Sequence, residues 1–349
     1  MSNLRLALQR AWLEKGPLAW ALWPISWVYG ALVLTNKLLY RLGVLKKHHL
    51  NVPVLIVGNV FVGGVGKTPL LIALAQHFKA RGIPVGVLSR GYGRKDVAAR
   101  VVTVDSLASE VGDEPLLIAQ SCHVPVVVGR DRYAAGQALL ASHPDIGLIL
   151  CDDGLQHFGL AHDLALCVFD ARHLGNGWLL PAGPLREPWP LMWASSLDVL
   201  TLQTVSAGAI ATQSTPKSFT PNFQVPRVLA NFVRCSDGTT FPLERLRGQS
   251  VQALAGIAQP QNFFDMLMAQ GIRLSCTHAL NDHADMDRLT IDPAMGPLLC
   301  TEKDAVKLWQ YLPSAWAVPL HTEVPDALME EILRRLGPKL SSGHGYQTA

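Results

Sequence analysis

The chain has 349 residues, 49% of them hydrophobic and only 16% charged, with a formal net charge of +3. That length suits two modest domains, or one with additions. The small charge, with no basic run interleaved with aromatics, excludes the nucleic-acid-binding classes. Six scattered cysteines without a C-x-x-C pair fit buried thiols in a reducing compartment better than a disulfide framework or a zinc site.

In chain order, the first feature is an uncharged run from Gly16 to Asn36, flanked by basic residues on both sides. Its length roughly matches a hydrocarbon core. Pro24 in the middle, Gly30 and the symmetric basic flanks argue against a simple span. On a helical wheel Trp20, Trp23 and Trp27 share one face, as in a helix lying at the headgroup level. A membrane-surface helix is the expectation, with a buried helix and a true span as the alternatives. No small-residue cleavage site follows the run.

"VPVLIVGNV" then reads as a buried parallel strand, followed by a glycine loop and a helix over "PLLIALAQHFKARG". The strand "IPVGVLS" leads into Arg90-Gly-Tyr-Gly-Arg94. A helix is predicted from Asp113-Glu-Pro115, then the strand "VPVVVG", the helix "DRYAAGQALLAS", and the strands "IGLILCDD" and "LALCVFDA". This alternation implies a doubly wound α/β sheet with helices on both faces. Residues 203–226 are polar and read as a linker. The expected division is a membrane-associated helical segment (1–48), an α/β/α sandwich core that includes the linker (49–225), and a smaller α/β domain (226–349).

Gly63, Gly64, Val65, Gly66, Lys67 and Thr68 stand between a strand and a helix, the context of a P-loop. There backbone N–H groups cradle phosphates, Lys67 neutralises the β and γ oxygens, and the Thr68 hydroxyl holds Mg²⁺. The strict pattern wants Gly at position 61, where this chain has Phe61. Asp152 and Asp153, at the carboxyl end of a strand, are the candidate magnesium carboxylates. Gln156 and His157 follow in "DDGLQH", positioned for substrate oxygens or for a structural role. Basic candidates for phosphate are Arg90 with Arg94, Arg130 with Arg132, and Arg186. Asp113 has helix capping as its plain alternative. His283 is surrounded by Asp282, Asp285 and Asp287, which favour its protonated form; spacing alone does not connect it to Asp113.

"VGNVFVGGVGKTP", "SRGYGR", "GDEP", "CDDGLQH", "GNGWLLPAGPLREP", "AGIAQPQNFF", "NDHADM" and "TEKDAVKL" occur in this order from about residue 50 to 310. Together they closely resemble the tetraacyldisaccharide 4′-kinases of lipid A biosynthesis. The resemblance implies a P-loop NTPase-like core with a smaller α/β domain. It also implies transfer of the ATP γ-phosphoryl group to the 4′-hydroxyl of an acylated disaccharide 1-phosphate, at the cytoplasmic face of a bacterial inner membrane. Asp113 falls on the family's proposed catalytic base, with His283 as its partner in an Asp–His dyad. Asp152, Asp153, Gln156 and His157 fall on its magnesium and active-site motif, and Arg90, Arg186 and Glu187 on further active-site positions. Family members often have a small hydroxyl residue at the position of Phe61 and Thr at that of Val65. ATP, Mg²⁺, the acylated lipid and a membrane surface are the implied partners; no obligate protein partner is evident.

The main rival is a membrane-surface ATPase of the partition type, which shares Gly-Gly-Val-Gly-Lys-Thr. Such proteins carry a signature Lys where this chain has Val62. A GTPase would want Asn-Lys-x-Asp, of which Thr301-Glu-Lys-Asp304 is only a loose echo.

Overall fold

The computed structural model describes residues 3–94, 96–191, 199–206, 220–280, 286, 289 and 291–340. In chain order the elements are α1 (Asn3–Leu13), α2 (Pro17–Arg41), β1 (Val54–Gly58), α3 (Lys67–Ala80), β2 (Val85–Ser89) and β3 (Arg100–Val102). Next come α4 (Ala108–Val111), α5 (Asp113–Cys122), β4 (Val126–Val128), α6 (Arg132–Ser142), β5 (Leu148–Asp152) and β6 (Leu164–Phe169). They are followed by β7 (Val199–Ser206), β8 (Phe223–Leu229), β9 (Phe232–Arg234), β10 (Thr240–Pro242), β11 (Ser250–Ala255) and α7 (Pro260–Ala269). The chain closes with β12 (Arg273–Ala279), β13 (Leu298–Thr301), α8 (Glu302–Leu308), β14 (Trp316–Val318), β15 (Leu320–Thr322) and α9 (Asp326–Leu340).

The larger sheet has the order β15-β8-β7-β6-β1-β5-β2-β4-β3. Its seven inner strands run parallel, with β3 and β15 antiparallel at the edges. Strands β1, β2, β4, β5 and β6 are buried at every position, which is why they read as continuous apolar runs. Helices α3, α5, α6 and α9 pack on this sheet or on one another. The smaller sheet has the order β10-β9-β14-β13-β11-β12, and α7 packs against β11 and β12.

Two expectations change here. The segment read as the linker 203–226 includes the end of β7 and the start of β8, which pair in parallel within the larger sheet. Thr201, Gln203 and Thr204 made β7 look polar, and Pro226 interrupts β8, yet Gln203 and Thr204 are buried. The carboxyl end of the expected 226–349 unit also returns to the larger sheet. There β15 pairs with β8, and α9 buries Leu328, Met329, Ile332 and Leu336 in its core.

Helix α2 continues through Pro24 for 25 residues, long and apolar enough to cross a membrane by length and composition. One stripe of it, Ala19, Ser26, Gly30 and Lys37, is buried against the protein. Spacings of seven, four and seven residues put these on one face. The opposite surface leaves Trp20, Ile25, Trp27, Val28 and Leu32 exposed, Trp27 by 65%. The helix is therefore neither wholly buried nor free on all sides. Ser26 Oγ donates to Leu179 O at 2.8 Å and accepts the Ala182 N–H at 3.0 Å, so α2 is seated on the "GNGWLLPAGPLREP" segment. Trp178 of that segment joins the Trp20–Trp23–Trp27 edge-to-face cluster.

Candidate active site

The glycine loop leaves β1 at Gly58 and becomes α3 at Lys67. Gly63 (φ 107°) and Gly66 (φ 89°) lie in the left-handed region that only glycine adopts freely. Phe61, the departure from the strict pattern, is buried and forms an antiparallel bridge with Leu185. The Val62 N–H donates to Pro184 O at 2.9 Å, and the Arg172 guanidinium lies 4.3 Å from the Phe61 ring centroid. Strand-like pairing with the 184–185 segment thus does the work a first glycine would do in an unsupported turn. Arg172 Nη2 donates to Gly64 O, and Thr204 Oγ1 to Val65 O, each at 3.0 Å. With these carbonyls held outward, the start of α3 presents its N–H groups to an anion.

Asp152 is the last residue of β5, and Asp153 follows it in the left-handed region (φ 48°). Ser89 Oγ donates to Asp152 Oδ2 at 3.1 Å, while buried Oδ1 has no hydrogen-bond partner among the described residues. Burial, then the charges of Glu114 and Asp153, push the Asp152 carboxyl up to about 7. Burial acts in the same direction on Asp153, but Lys67 and Arg186 outweigh it and hold that carboxyl below its ordinary range. Lys67 Nζ stands 3.3 Å from Asp153 Oδ1, and Arg186 Nη1 donates to both Asp153 oxygens at 3.1 and 2.9 Å. A buried carboxylate oxygen without a donor, beside a second carboxylate and the start of the helix carrying Thr68, is a donor set of hard oxygens. These residues would fit a hard divalent cation such as Mg²⁺.

Gln156 Nε2 donates to Asn59 O at 3.0 Å and to Glu187 Oε1 at 2.7 Å, and its Oε1 accepts from Arg186 at 3.3 Å. Glu187 pairs on its other oxygen with Lys37 of α2. Tyr29 Oη donates to Arg186 O at 2.8 Å. Lys67, Asp153, Arg186, Gln156 and Glu187 therefore form one connected network. His157 is placed differently: its Nε2 accepts the Arg132 N–H at the start of α6, at 3.2 Å. Burial, helped by Arg132, lowers its pKa, in keeping with a neutral acceptor. Arg90 stands exposed at the end of β2, and Arg94 folds back onto Ala98 O. Arg132 holds Gly129 O and Asp152 O.

Asp113 is the first residue of α5 and is buried. Lys307 of α8 lies 2.6 Å from its Oδ2, and Lys303 of the same helix 2.9 Å from Glu114. His283 lies outside the described residues. Between the loop and the smaller sheet runs a cleft of about 150 Å³, lined by the loop with Leu117, Arg227, Phe263, Met266 and Leu320. The sequence reading missed Lys37, Asn59, Arg172 and Lys307. Asn59 and Lys307 lie inside the quoted stretches "VGNVFVGGVGKTP" and "TEKDAVKL", and Lys37 breaks the small-residue stripe of Ala19, Ser26 and Gly30.

A model of the "Tetraacyldisaccharide-1-P 4'-kinase" family matches residues 18–337. The chain is 48% identical to a tetraacyldisaccharide 4′-kinase of Acidovorax ebreus (strain TPSY), over 98% of each chain. It is 42% identical to that of Dechloromonas aromatica (strain RCB), over 94% of this chain and 97% of the other. The crystal structure of LpxK from Aquifex aeolicus in complex with ATP superposes with a TM-score of 0.75 at 31% identity. That match covers 91% of this chain and 99% of the Aquifex chain. With the P-loop, the paired aspartates and the fold in agreement over this length, the chain belongs to the tetraacyldisaccharide-1-P 4′-kinase family.

Proposed function

We propose that this chain transfers the γ-phosphoryl group of ATP to the 4′-hydroxyl of tetraacyldisaccharide 1-phosphate, at the cytoplasmic face of a bacterial inner membrane. The observation that carries the reading is the placement of Lys67. It stands on the P-loop 3.3 Å from Asp153, whose neighbour Asp152 has a buried oxygen without a hydrogen-bond partner among the described residues.

The loop N–H groups and Lys67 hold the β- and γ-phosphates, and Arg186 keeps Asp153 ionised and oriented. Thr68, Asp152 and Asp153 would hold Mg²⁺, whose charge offsets that of the phosphates. The 4′-oxygen forms a bond to the γ-phosphorus, the bond from that phosphorus to the β,γ-bridging oxygen breaks, and ADP leaves. Asp113 accepts the hydroxyl proton. Lys307 Nζ, 2.6 Å from Oδ2, holds that carboxylate in place at the start of α5. The family resemblance gives His283 as the partner of Asp113 and assigns Arg90 and His157 to the active site. The exposed apolar face of α2 rests in the lipid surface, where an acylated substrate resides.

The test uses γ-labelled ATP, Mg²⁺ and the acylated disaccharide in detergent. Label moves to the lipid if the reading holds. Label released only as inorganic phosphate would support an ATPase switch and overturn it.

A further inference from the structure

Arg227, on β8, is a basic group at the loop that lies outside the network of Lys67, Asp153 and Arg186. Burial lowers its pKa; Asp170 acts against that and Arg172 adds to it. Its Nε is buried with no hydrogen-bond partner among the described residues. Asp170, the carboxylate that acts on it, is already taken. Arg172 contacts both Asp170 oxygens at 2.6–3.1 Å, and Gln259 Nε2 donates to Oδ2 at 2.8 Å. A guanidinium drawn out of water without full compensation is costly unless an anion arrives.

Its position says which anion. Arg227 lines the cleft together with Gly64, Val65, Gly66 and Lys67. A Cβ placed on Gly66 would lie 3.2 Å from Arg227 Nη1 and 3.4 Å from its Cδ, so the side chain lies against the loop. Asp152 and Asp153 follow β5, on one side of β1; β6, β7 and β8 lie on the other. The transferred phosphoryl group belongs on the β5 side with Lys67 and the carboxylates. A nucleotide laid across the loop then points its nucleoside end toward β8.

We propose that Arg227 is a nucleotide-binding residue that pairs with the phosphate nearest the nucleoside, the α-phosphate of ATP and ADP. This rests on the kinase reading above. Gly66 is then required for two reasons: its positive φ, and the close approach of the arginine, which a side chain at 66 would displace. Because the contact is made alike before and during transfer, its loss falls on KM rather than on kcat.

The experiment compares wild type with Arg227→Met and Arg227→Lys, measuring Kd for ATP, ADP and adenosine and the melting temperature with and without ADP. In Arg227→Met, ATP and ADP bind about tenfold or more weakly, adenosine is unaffected, and Arg227→Lys recovers part of the loss. The ligand-free Arg227→Met protein melts no lower than wild type, while its stabilisation by ADP shrinks. Unchanged ADP affinity, an equal loss for adenosine, or a lower ligand-free melting temperature that accounts for the weakened binding would overturn the assignment. If wild type binds no ATP at all, the kinase reading itself fails; if wild type binds and Arg227→Met binds equally, only the role of Arg227 fails.

Discussion

Lys37 and Glu187 form an ion pair in which the side chains are only 8% and 2% exposed. One partner sits on the helix that carries the exposed tryptophans. The other receives Gln156 and so joins the network that ends on Lys67. The helix facing outward is thus bolted to the phosphate site by a buried charge.

Replacing Lys37 with Met should therefore affect more than attachment. It leaves Glu187 buried without its cation, a loss of about 3–5 kcal/mol, and lets Gln156 and Arg186 shift. Lys37→Met is expected to melt lower and to lose turnover even in detergent, where no membrane is needed. Lys37→Met combined with Glu187→Gln should recover much of the melting temperature but not the turnover. Recovery of both would make the pair purely structural.

The outer face of α2 should behave in the opposite way. Trp27 and Leu32 are exposed, so Trp27→Ser with Leu32→Ser removes little packing beyond the edge-to-face contact of Trp27 with Trp23. Sedimentation with anionic vesicles is expected to fall severalfold, with turnover in detergent within about twofold of wild type. Unchanged sedimentation would place the attachment elsewhere.

Asp113→Ala is expected to lower turnover by about 10²–10⁴-fold while ATP still binds, as equilibrium binding would report. Lys307→Met removes the ammonium 2.6 Å from Asp113 Oδ2, and a drop in turnover without loss of ATP affinity is expected. Near-normal turnover in Asp113→Ala would reduce that residue to the start of a helix.

His162 makes the acid stability of the fold testable. Both its ring nitrogens are buried without hydrogen-bond partners among the described residues. Burial, then Lys47, lower its pKa from 6.5 to about 4. The neutral ring is therefore favoured in the folded chain. Its contribution is fully present above pH 6.5 and is lost as pH falls toward 4, because the unfolded chain takes up the proton first. The loss amounts to about 3 kcal/mol at most. In His162→Gln, urea titrations between pH 7 and 4 should show this part of the pH dependence gone.

Five of the inner strands were readable because a strand covered on both faces becomes an uninterrupted apolar run, as in Val54–Gly58 and Leu148–Asp152. The P-loop was readable because phosphate binding by backbone groups needs glycines at fixed local spacing. Strands β7 and β8 were not, since Thr204 is kept polar to hold Val65 O and Phe169 O, and Pro226 is a residue that strand interiors avoid.

What the sequence determined by itself is local: the alternation of strands and helices, the phosphate loop, and the paired carboxylates at the end of β5. These depend on periodicity and on neighbours within a few residues. Tertiary structure alone decided that Phe61 is tolerable, because its support comes from Leu185 and Arg172. It alone decided that Lys37 meets Glu187 across 150 positions, and that Lys307 reaches Asp113 from the second sheet's own helix. Buried charges find their partners through space, and no spacing along the chain encodes which partner that is.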